Sequence, residues 1–138
     1  MNILIDTNVI LDFAIKRDEF YKNSILIFKI FKNTNHKGYL TASTITDIYY
    51  IVKKVQGHQS AVEFLRSLIG IFKVLGVNSE IIEEALNKDF PDFEDGVQTI
   101  TAEKNTIDLI ITRNKKDFEN TNIDVYSPVE FLKLYSNT

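Results

Sequence analysis

The sequence contains no cysteine, and it has only two prolines and five glycines among its 138 residues. Without cysteine the chain has no disulfides, no thiolate zinc site and no thiol nucleophile. A cysteine-free chain is compatible with a reducing cytosol, so we expect a cytoplasmic protein. No apolar run approaches the ~18 residues that a membrane-spanning helix needs, so no membrane partner is expected.

The apolar N-terminus also lacks the features of a signal peptide. It has no basic start, and Asp6 and Asp12 interrupt its apolar run. The chain has no excess of positive charge either, since its formal net charge is −3, which argues against a protein that coats DNA. A nuclease is still compatible with this charge, because bound divalent cations can reverse the sign of a carboxylate pocket.

The composition predicts one folded domain. Hydrophobic residues make up 44% of the chain and charged residues 25%, and ten Phe and six Tyr supply bulky core material. The length fits a single domain of ordinary size, and we see no repeat, low-complexity tract or linker. Residues 1–138 are therefore assigned to one domain.

Short apolar strands alternate with helical patterns along the chain. Strands are predicted at residues 1–5, 38–41, 72–75, 108–112 and 124–126. Helices are predicted directly after the first strand, at residues 19–32, 43–54 and 61–69, after residue 78, from residue 91 and after residue 127, and a polar turn follows the fourth strand. The expected helix caps are Thr7 or Asn8, Ser43 or Thr44, Asn78 or Ser79, and Ser127. This order predicts an α/β fold with three α/β/α layers and a central, mainly parallel sheet.

Polar clusters follow two of the predicted strands. Asp6-Thr7-Asn8 closes the first strand, and Thr112-Arg113-Asn114 begins the polar segment that runs to Asp117 after the fourth. Ligand sites of open parallel sheets lie beyond the carboxyl ends of the strands. If these two strands are neighbours, Asp6 and Asp117 share one pocket.

Further acids occur at Asp47 and in the segment Asp92-Phe93-Glu94-Asp95. Favourable interaction with a helix dipole could by itself explain Asp92 and Glu94. Asp47, taken alone, is best interpreted as a solvent-facing acid of a helix. Together the acids suggest a hard cation, Mg²⁺ or Mn²⁺, because all candidate ligands are oxygens. Arg113 could hold phosphate oxygens, although a solvated turn is the commoner role for such a residue.

Taken in order, these segments resemble the signature of PIN-domain proteins, in particular the small prokaryotic members that include VapC-type toxins. The resemblance extends over almost the whole chain. It implies a parallel sheet with helices on both faces and a quartet of acids that bind Mg²⁺ or Mn²⁺ to cleave RNA. Gly96 follows Asp95 where the family more often has alanine.

By this resemblance the catalytic acids are Asp6, Asp47, Asp95 and Asp117, and the metal ligands are Asp6, Asp95 and Asp117. Asp47 stands where the family more often has Glu, so we expect it to act through water. Supporting roles fall to a second set, Thr7, Asn8, Asp92, Thr112, Arg113 and Asn114, with Asp92 the weakest candidate.

Alternative functions fit the residues less well. A phosphatase with an aspartyl nucleophile expects a second Asp two positions after the first, where this chain has Asn8. A dinucleotide-binding module needs a Gly-rich turn after the first strand, and a receiver domain would not have the late Asp117 cluster. A catalytically silent PIN module would be expected to have lost quartet acids, and here all four positions are acidic.

The sequence therefore predicts a metal-dependent endoribonuclease, which could be the toxin of a toxin–antitoxin pair. Its expected partners are an RNA substrate and an antitoxin protein. Surplus apolar helix surface in the first half of the chain also predicts a homodimer or higher oligomer.

Overall fold

The computed structural model describes the backbone of residues 1–136 and the side chains of residues 1–134. Its five strands are all parallel and form one sheet in the order β3-β2-β1-β4-β5. The strands are β1 (Asn2–Ile5), β2 (Lys37–Thr41), β3 (Lys73–Leu75), β4 (Leu109–Ile111) and β5 (Asp124–Tyr126). The predicted three-layer α/β/α fold with a parallel sheet is confirmed.

Helices cover both faces of this sheet. They are α1 (Thr7–Ala14), α2 (Asp18–Asn33), α3 (Ala42–Gln56), α4 (His58–Ile71), α5 (Ser79–Asn87), α6 (Phe93–Lys104) and α7 (Pro128–Ser136). A short 3₁₀ helix, Lys115–Phe118, occupies the segment that the sequence predicted as a polar turn. Within the described residues, none of these helices combines the length and the apolar character that crossing a membrane requires.

The central strands are apolar because both of their faces are covered. Ile3, Leu4 and Ile5 of β1 and Ile110 and Ile111 of β4 have no measurable solvent exposure. Alternate residues of each strand therefore contribute to separate clusters on the two faces of the sheet. Each such side chain stabilises the fold by roughly 1.5–3 kcal/mol relative to an exposed position.

Aromatic rings fill one of the two faces. Phe28 and Phe31 of α2 pack against Phe72, with ring centroids 5.4 Å apart in both pairs. The chain passes closely here, since a Cβ added to Gly38 would lie 2.5 Å from the Phe72 ring. Glycine is required at this position by the close approach of β2 to these rings.

Several predicted helix ends were wrong. Thr41 caps α3, because its hydroxyl accepts a hydrogen bond from the backbone N–H of Thr44. The predicted caps, Ser43 and Thr44, lie inside the helix. Helix α4 begins at His58 rather than at residue 61, because Gly57 (φ 89°) both ends α3 and starts α4, so the helix resumes at the next residue.

Helix α1 begins directly after Asp6, so neither Thr7 nor Asn8 caps it as predicted. Asp6 holds the capping position but makes no capping hydrogen bond with its side chain. Two predicted strands were also too long, since β3 starts at Lys73 and β4 spans only Leu109–Ile111.

The sheet order brings the two polar clusters together. Strand β1 pairs with β4, and the backbone N–H of Asp6 donates to the carbonyl oxygen of Ile111 at 3.0 Å. Thr112 continues the same edge, with its N–H donating to the carbonyl of Tyr126. The residues that follow β1 and β4 therefore meet at the carboxyl edge of the sheet, where ligand sites of such folds occur.

Candidate active site

A cavity of about 420 Å³ opens at this carboxyl edge. Residues of α1, α3 and α6 and of the segment after β4 form its walls. Six acidic side chains and no lysine or arginine occur among its described lining residues, and these acids are Asp6, Asp47, Asp92, Glu94, Asp95 and Asp117. The cavity is therefore a concentration of negative charge, and Asn8 and Asn114 add amide groups to its wall.

Asp6 lies at the base of this cavity and is 2% exposed. Each of its carboxylate oxygens accepts one hydrogen bond, Oδ1 from Nε2 of Gln98 at 3.0 Å and Oδ2 from the hydroxyl of Thr112 at 2.8 Å. These two contacts explain why Asp6 does not cap α1 with its side chain. Burial raises the pKa of Asp6 above its ordinary value, and the hydrogen bonds from Gln98 and Thr112 oppose that rise.

A chain of hydroxyl groups leads to Glu94. Thr7 donates its only hydroxyl hydrogen to Oε1 of Glu94 at 3.0 Å, so Thr7 must accept from Thr44, whose hydroxyl lies 2.8 Å away. By the same reasoning Thr44 accepts from Thr41 at 3.0 Å, and Thr41 accepts from Ser43 at 2.8 Å. The hydroxyl dipoles are thus aligned, and together they fix the position of the Glu94 carboxyl group.

Two acids of the cavity, Glu94 and Asp95, hold their protons to unusually high pH. Burial, a hydrogen bond with Asp47 and the charge of Asp47 raise the pKa of Glu94 to about 7. Burial and the charges of Asp6 and Asp92 raise the pKa of Asp95 to about 8. Several carboxylates cannot all ionise in one cavity without strong repulsion, and a bound cation would relieve that repulsion.

Asp92, Thr112 and Asn114 contribute mainly to local structure around the cavity. Asp92 caps α6, since its Oδ1 accepts from the backbone N–H of Asp95 at 3.0 Å. Thr112 also accepts from the backbone N–H of Asn114 at 3.0 Å, so one hydroxyl joins the loop after β4 to Asp6. Asp117 follows in the 3₁₀ helix, where its N–H donates to the carbonyl of Asn114.

Arg113 does not lie in this cavity, contrary to its predicted role as a phosphate-binding residue there. Its Nε and one terminal nitrogen donate to the two oxygens of Asp12, at 2.7 and 3.2 Å, and its guanidinium lies 3.8 Å from the centre of the Phe20 ring. Asp12 is 1% exposed, so it requires a cationic partner. Arg113 instead lines a neighbouring cavity of about 350 Å³ on the other side of α1.

Two residues of the site were missed by the sequence analysis. Glu94 was interpreted as an acid favoured by the helix dipole, yet it lines the cavity and contacts Thr7 and Asp47. Gln98 was not considered, although it is fully buried and bonded to Asp6. Its position one turn after Asp95, in a helix with few exposed residues, was the available signal.

The residues present fit a hard divalent cation by their chemistry. All candidate donors are oxygens, and burial together with the charges of neighbouring acids raises the pKa values of Asp6, Glu94 and Asp95. In the described part of the chain, no group of three or more acids or histidines is already arranged to hold an ion.

Comparisons with known proteins agree with this geometry. A family model described as "PIN domain" matches residues 2–116. Ribonuclease VapC1 of Aquifex aeolicus is 25% identical over 139 residues, which span 97% of this chain and 95% of that protein. The structure of VapBC-1 from nontypeable Haemophilus influenzae has a TM-score of 0.70 at 17% identity and covers 94% of this chain and 99% of its own.

A toxin-antitoxin complex from Klebsiella pneumoniae is also similar in structure. Its TM-score is 0.68 at 21% identity, and the match covers 91% of this chain and 97% of that one. At these identities the two structures share the fold with this chain.

Proposed function

Since this chain belongs to the PIN domain family, we propose that it is a divalent-metal-dependent endoribonuclease that hydrolyses phosphodiester bonds of RNA. Dependence on a divalent metal is general among nucleases of this family. The observation that carries the proposal is the cavity of six acids at the carboxyl edge of the sheet, which contains no basic side chain among its described lining residues. The relative from Aquifex aeolicus is named as a ribonuclease, which supports RNA as the substrate.

In this proposal Asp6, Asp95 and Asp117 hold Mg²⁺ or Mn²⁺. When bound, the ion supplies positive charge that activates a water molecule and offsets the charge of the phosphate oxygens. In the same proposal Glu94 and Asp47, which interact with each other, orient that water and accept its proton.

Attack on phosphorus then forms a new P–O bond and breaks the bond to the 3′ oxygen. The expected products are a 5′-phosphate and a 3′-hydroxyl end. Asp6 is the best held of the three proposed ligands, because Gln98 and Thr112 each fix one of its oxygens.

We also propose a protein partner of the antitoxin kind, because a similar structure is a toxin-antitoxin complex. A groove of about 340 Å³ lies between α2 and α4, with a largely apolar lining that includes Phe13, Phe28, Phe64 and Leu68. Such a groove suits the apolar face of a partner helix. A homodimer and a cytoplasmic location stay predictions from the sequence.

Cleavage of a mixed RNA pool by the purified protein tests the proposed activity. Reactions contain Mg²⁺, Mn²⁺ or EDTA, and Asp6→Asn and Asp95→Asn are compared with Asp124→Asn, an exposed acid of β5 outside the cavity. We expect metal-dependent cleavage by the native protein and by Asp124→Asn, and loss of cleavage in the two cavity variants. Equal cleavage in EDTA, or unchanged cleavage by both cavity variants, would contradict the proposal.

A folded native protein that binds Mn²⁺ but leaves the pool intact would point to a narrow RNA target or to a masking partner. A folded protein that neither binds Mn²⁺ nor cleaves RNA would instead favour a catalytically silent binding module.

A further inference from the structure

Gln98 is a buried polar residue that helix packing alone does not explain. It lies on α6 and has no exposed surface. Its Nε2 donates to Oδ1 of Asp6 at 3.0 Å, and within the described residues its Oε1 is buried with no hydrogen-bond partner. A buried amide oxygen without a donor is unfavourable, so an apolar side chain of similar shape would suit the core better.

The hydroxyl groups nearest to Gln98 on α6 are used elsewhere. The hydroxyl of Thr99 donates to the backbone carbonyl of Asp95 at 2.8 Å, and the hydroxyl of Thr101 donates to the carbonyl of Val97 at 2.7 Å. Neither can donate to Oε1 of Gln98 at the same time. The contact with Asp6 is therefore the one polar interaction of this side chain among the described residues.

That contact has a clear geometric effect on Asp6. Gln98 holds one carboxylate oxygen and Thr112 holds the other, so rotation of the Asp6 carboxyl group about its last bond would break both hydrogen bonds. Each oxygen accepts only one hydrogen bond from these partners and keeps a lone pair for a further one. Partners of this kind orient the side chains that bind a metal and strengthen that binding.

We propose that Gln98 is a positioning residue that holds Asp6 in the orientation in which it binds the divalent cation. This inference rests on the proposed function. Gln98 acts through Asp6 and does not itself contact the ion or the substrate. If Gln98 were purely structural, its replacement would lower the stability of the protein. If Gln98 is a positioning residue, its replacement lowers the metal affinity and leaves the metal-free fold intact.

The test compares Gln98→Met with the native protein and with Gln59→Met, a substitution of an exposed glutamine on α4 that donates to Glu63 and lies outside the cavity. Two quantities are measured, the affinity for Mn²⁺ by titration calorimetry and the thermal unfolding midpoint in EDTA. We expect the Mn²⁺ affinity of Gln98→Met to fall ~10–100-fold. Its unfolding midpoint in EDTA should stay within about 3 °C of the native value, and Gln59→Met should match the native protein in both.

A second variant keeps the test decisive if methionine disturbs the core. Gln98→Asn retains the amide but is one methylene too short to reach Asp6, so we again expect weaker Mn²⁺ binding by a folded protein. Native Mn²⁺ affinity in either folded variant would overturn the role of Gln98, even if RNA cleavage is metal-dependent. Failure of the native protein itself to bind Mn²⁺ would instead overturn the proposed function and this inference together.

Discussion

Replacing Asp95 by asparagine should make the metal-free protein more stable at alkaline pH. Asp95 is partly buried among acids, and burial together with the charges of Asp6 and Asp92 raises its pKa to about 8. Asparagine has nearly the same shape but carries no charge. The substitution therefore removes repulsion from the cavity without leaving a void.

The sign and size of the effect follow from proton binding. The folded protein keeps the Asp95 proton to a higher pH than the unfolded chain does, so the metal-free native protein loses stability as the pH rises from about 4 to about 8. A pKa of about 8 against the ordinary 3.8 would correspond to roughly 6 kcal/mol without solvent screening. Asp95 is partly exposed and its repulsion is screened, so we expect about 1–2 kcal/mol at pH 8.

Urea unfolding in EDTA measures this difference at pH 8 and again at pH 4. The free energy of unfolding of Asp95→Asn should exceed that of the native protein by about 1–2 kcal/mol at pH 8. The difference should be much smaller at pH 4, which is close to the ordinary pKa of 3.8, because the unfolded chain then holds much of the Asp95 proton as well. Asp124→Asn serves as the matched control and should change little at either pH, because Asp124 is exposed. An Asp95→Asn protein that is less stable than native at pH 8 would refute the reasoning.

Three further substitutions test other parts of the account. Arg113→Leu leaves the buried Asp12 carboxylate with Arg17, 3.5 Å away, as its remaining cation. Urea unfolding should therefore show a loss of about 2 kcal/mol, below that of a fully uncompensated buried charge, and an unchanged midpoint would contradict this. Gly38→Ala places a Cβ 2.5 Å from the Phe72 ring, and calorimetry should show a lower unfolding temperature from a loss of about 1–3 kcal/mol. In Glu94→Gln the amide that replaces Glu94 cannot accept a proton, so kcat for RNA cleavage should fall ~100-fold or more while the affinity for Mn²⁺ is retained. A native kcat in this variant would exclude a proton-accepting role for Glu94.

The sequence was sufficient to predict which strand ends form the site. Asp6 and Asp117 follow apolar strands, and parallel strands place their carboxyl ends at one edge of the sheet. Asp95 was placed with them through the resemblance to PIN-domain proteins, and all three line one cavity. Their role as metal ligands stays a prediction.

The inward face of α6 could not be predicted in the same way. Both Glu94 and Asp95 stand in its first turn, where acids are favoured whether or not they face a site. Packing of Val97 and Ile100 against α5 residues fixes the rotation of the helix, and that rotation turns Glu94 and Gln98 toward Asp6 and Thr7. Such packing depends on tertiary contacts that no local pattern records.

The position of Arg113 was unpredictable for a related reason. Its partner Asp12 stands 101 positions earlier, and the sequence showed only that this acid interrupts an apolar run. Burial of Asp12 by the fold creates the need for a cation, and Arg113 is close enough to meet it. A basic residue beside a predicted phosphate site can thus be held by a structural ion pair.

We propose that Asp6, Asp95 and Asp117 at the carboxyl edge share one cation-binding site, which can hold one or two ions. Anomalous diffraction from crystals of the native protein grown with Mn²⁺ tests it most directly. We expect an anomalous peak between the carboxyl groups of Asp6, Asp95 and Asp117, and we expect this peak to be lost in crystals of Asp6→Asn. A cavity without a peak in crystals saturated with Mn²⁺, or Mn²⁺ bound only at other acids, would contradict it.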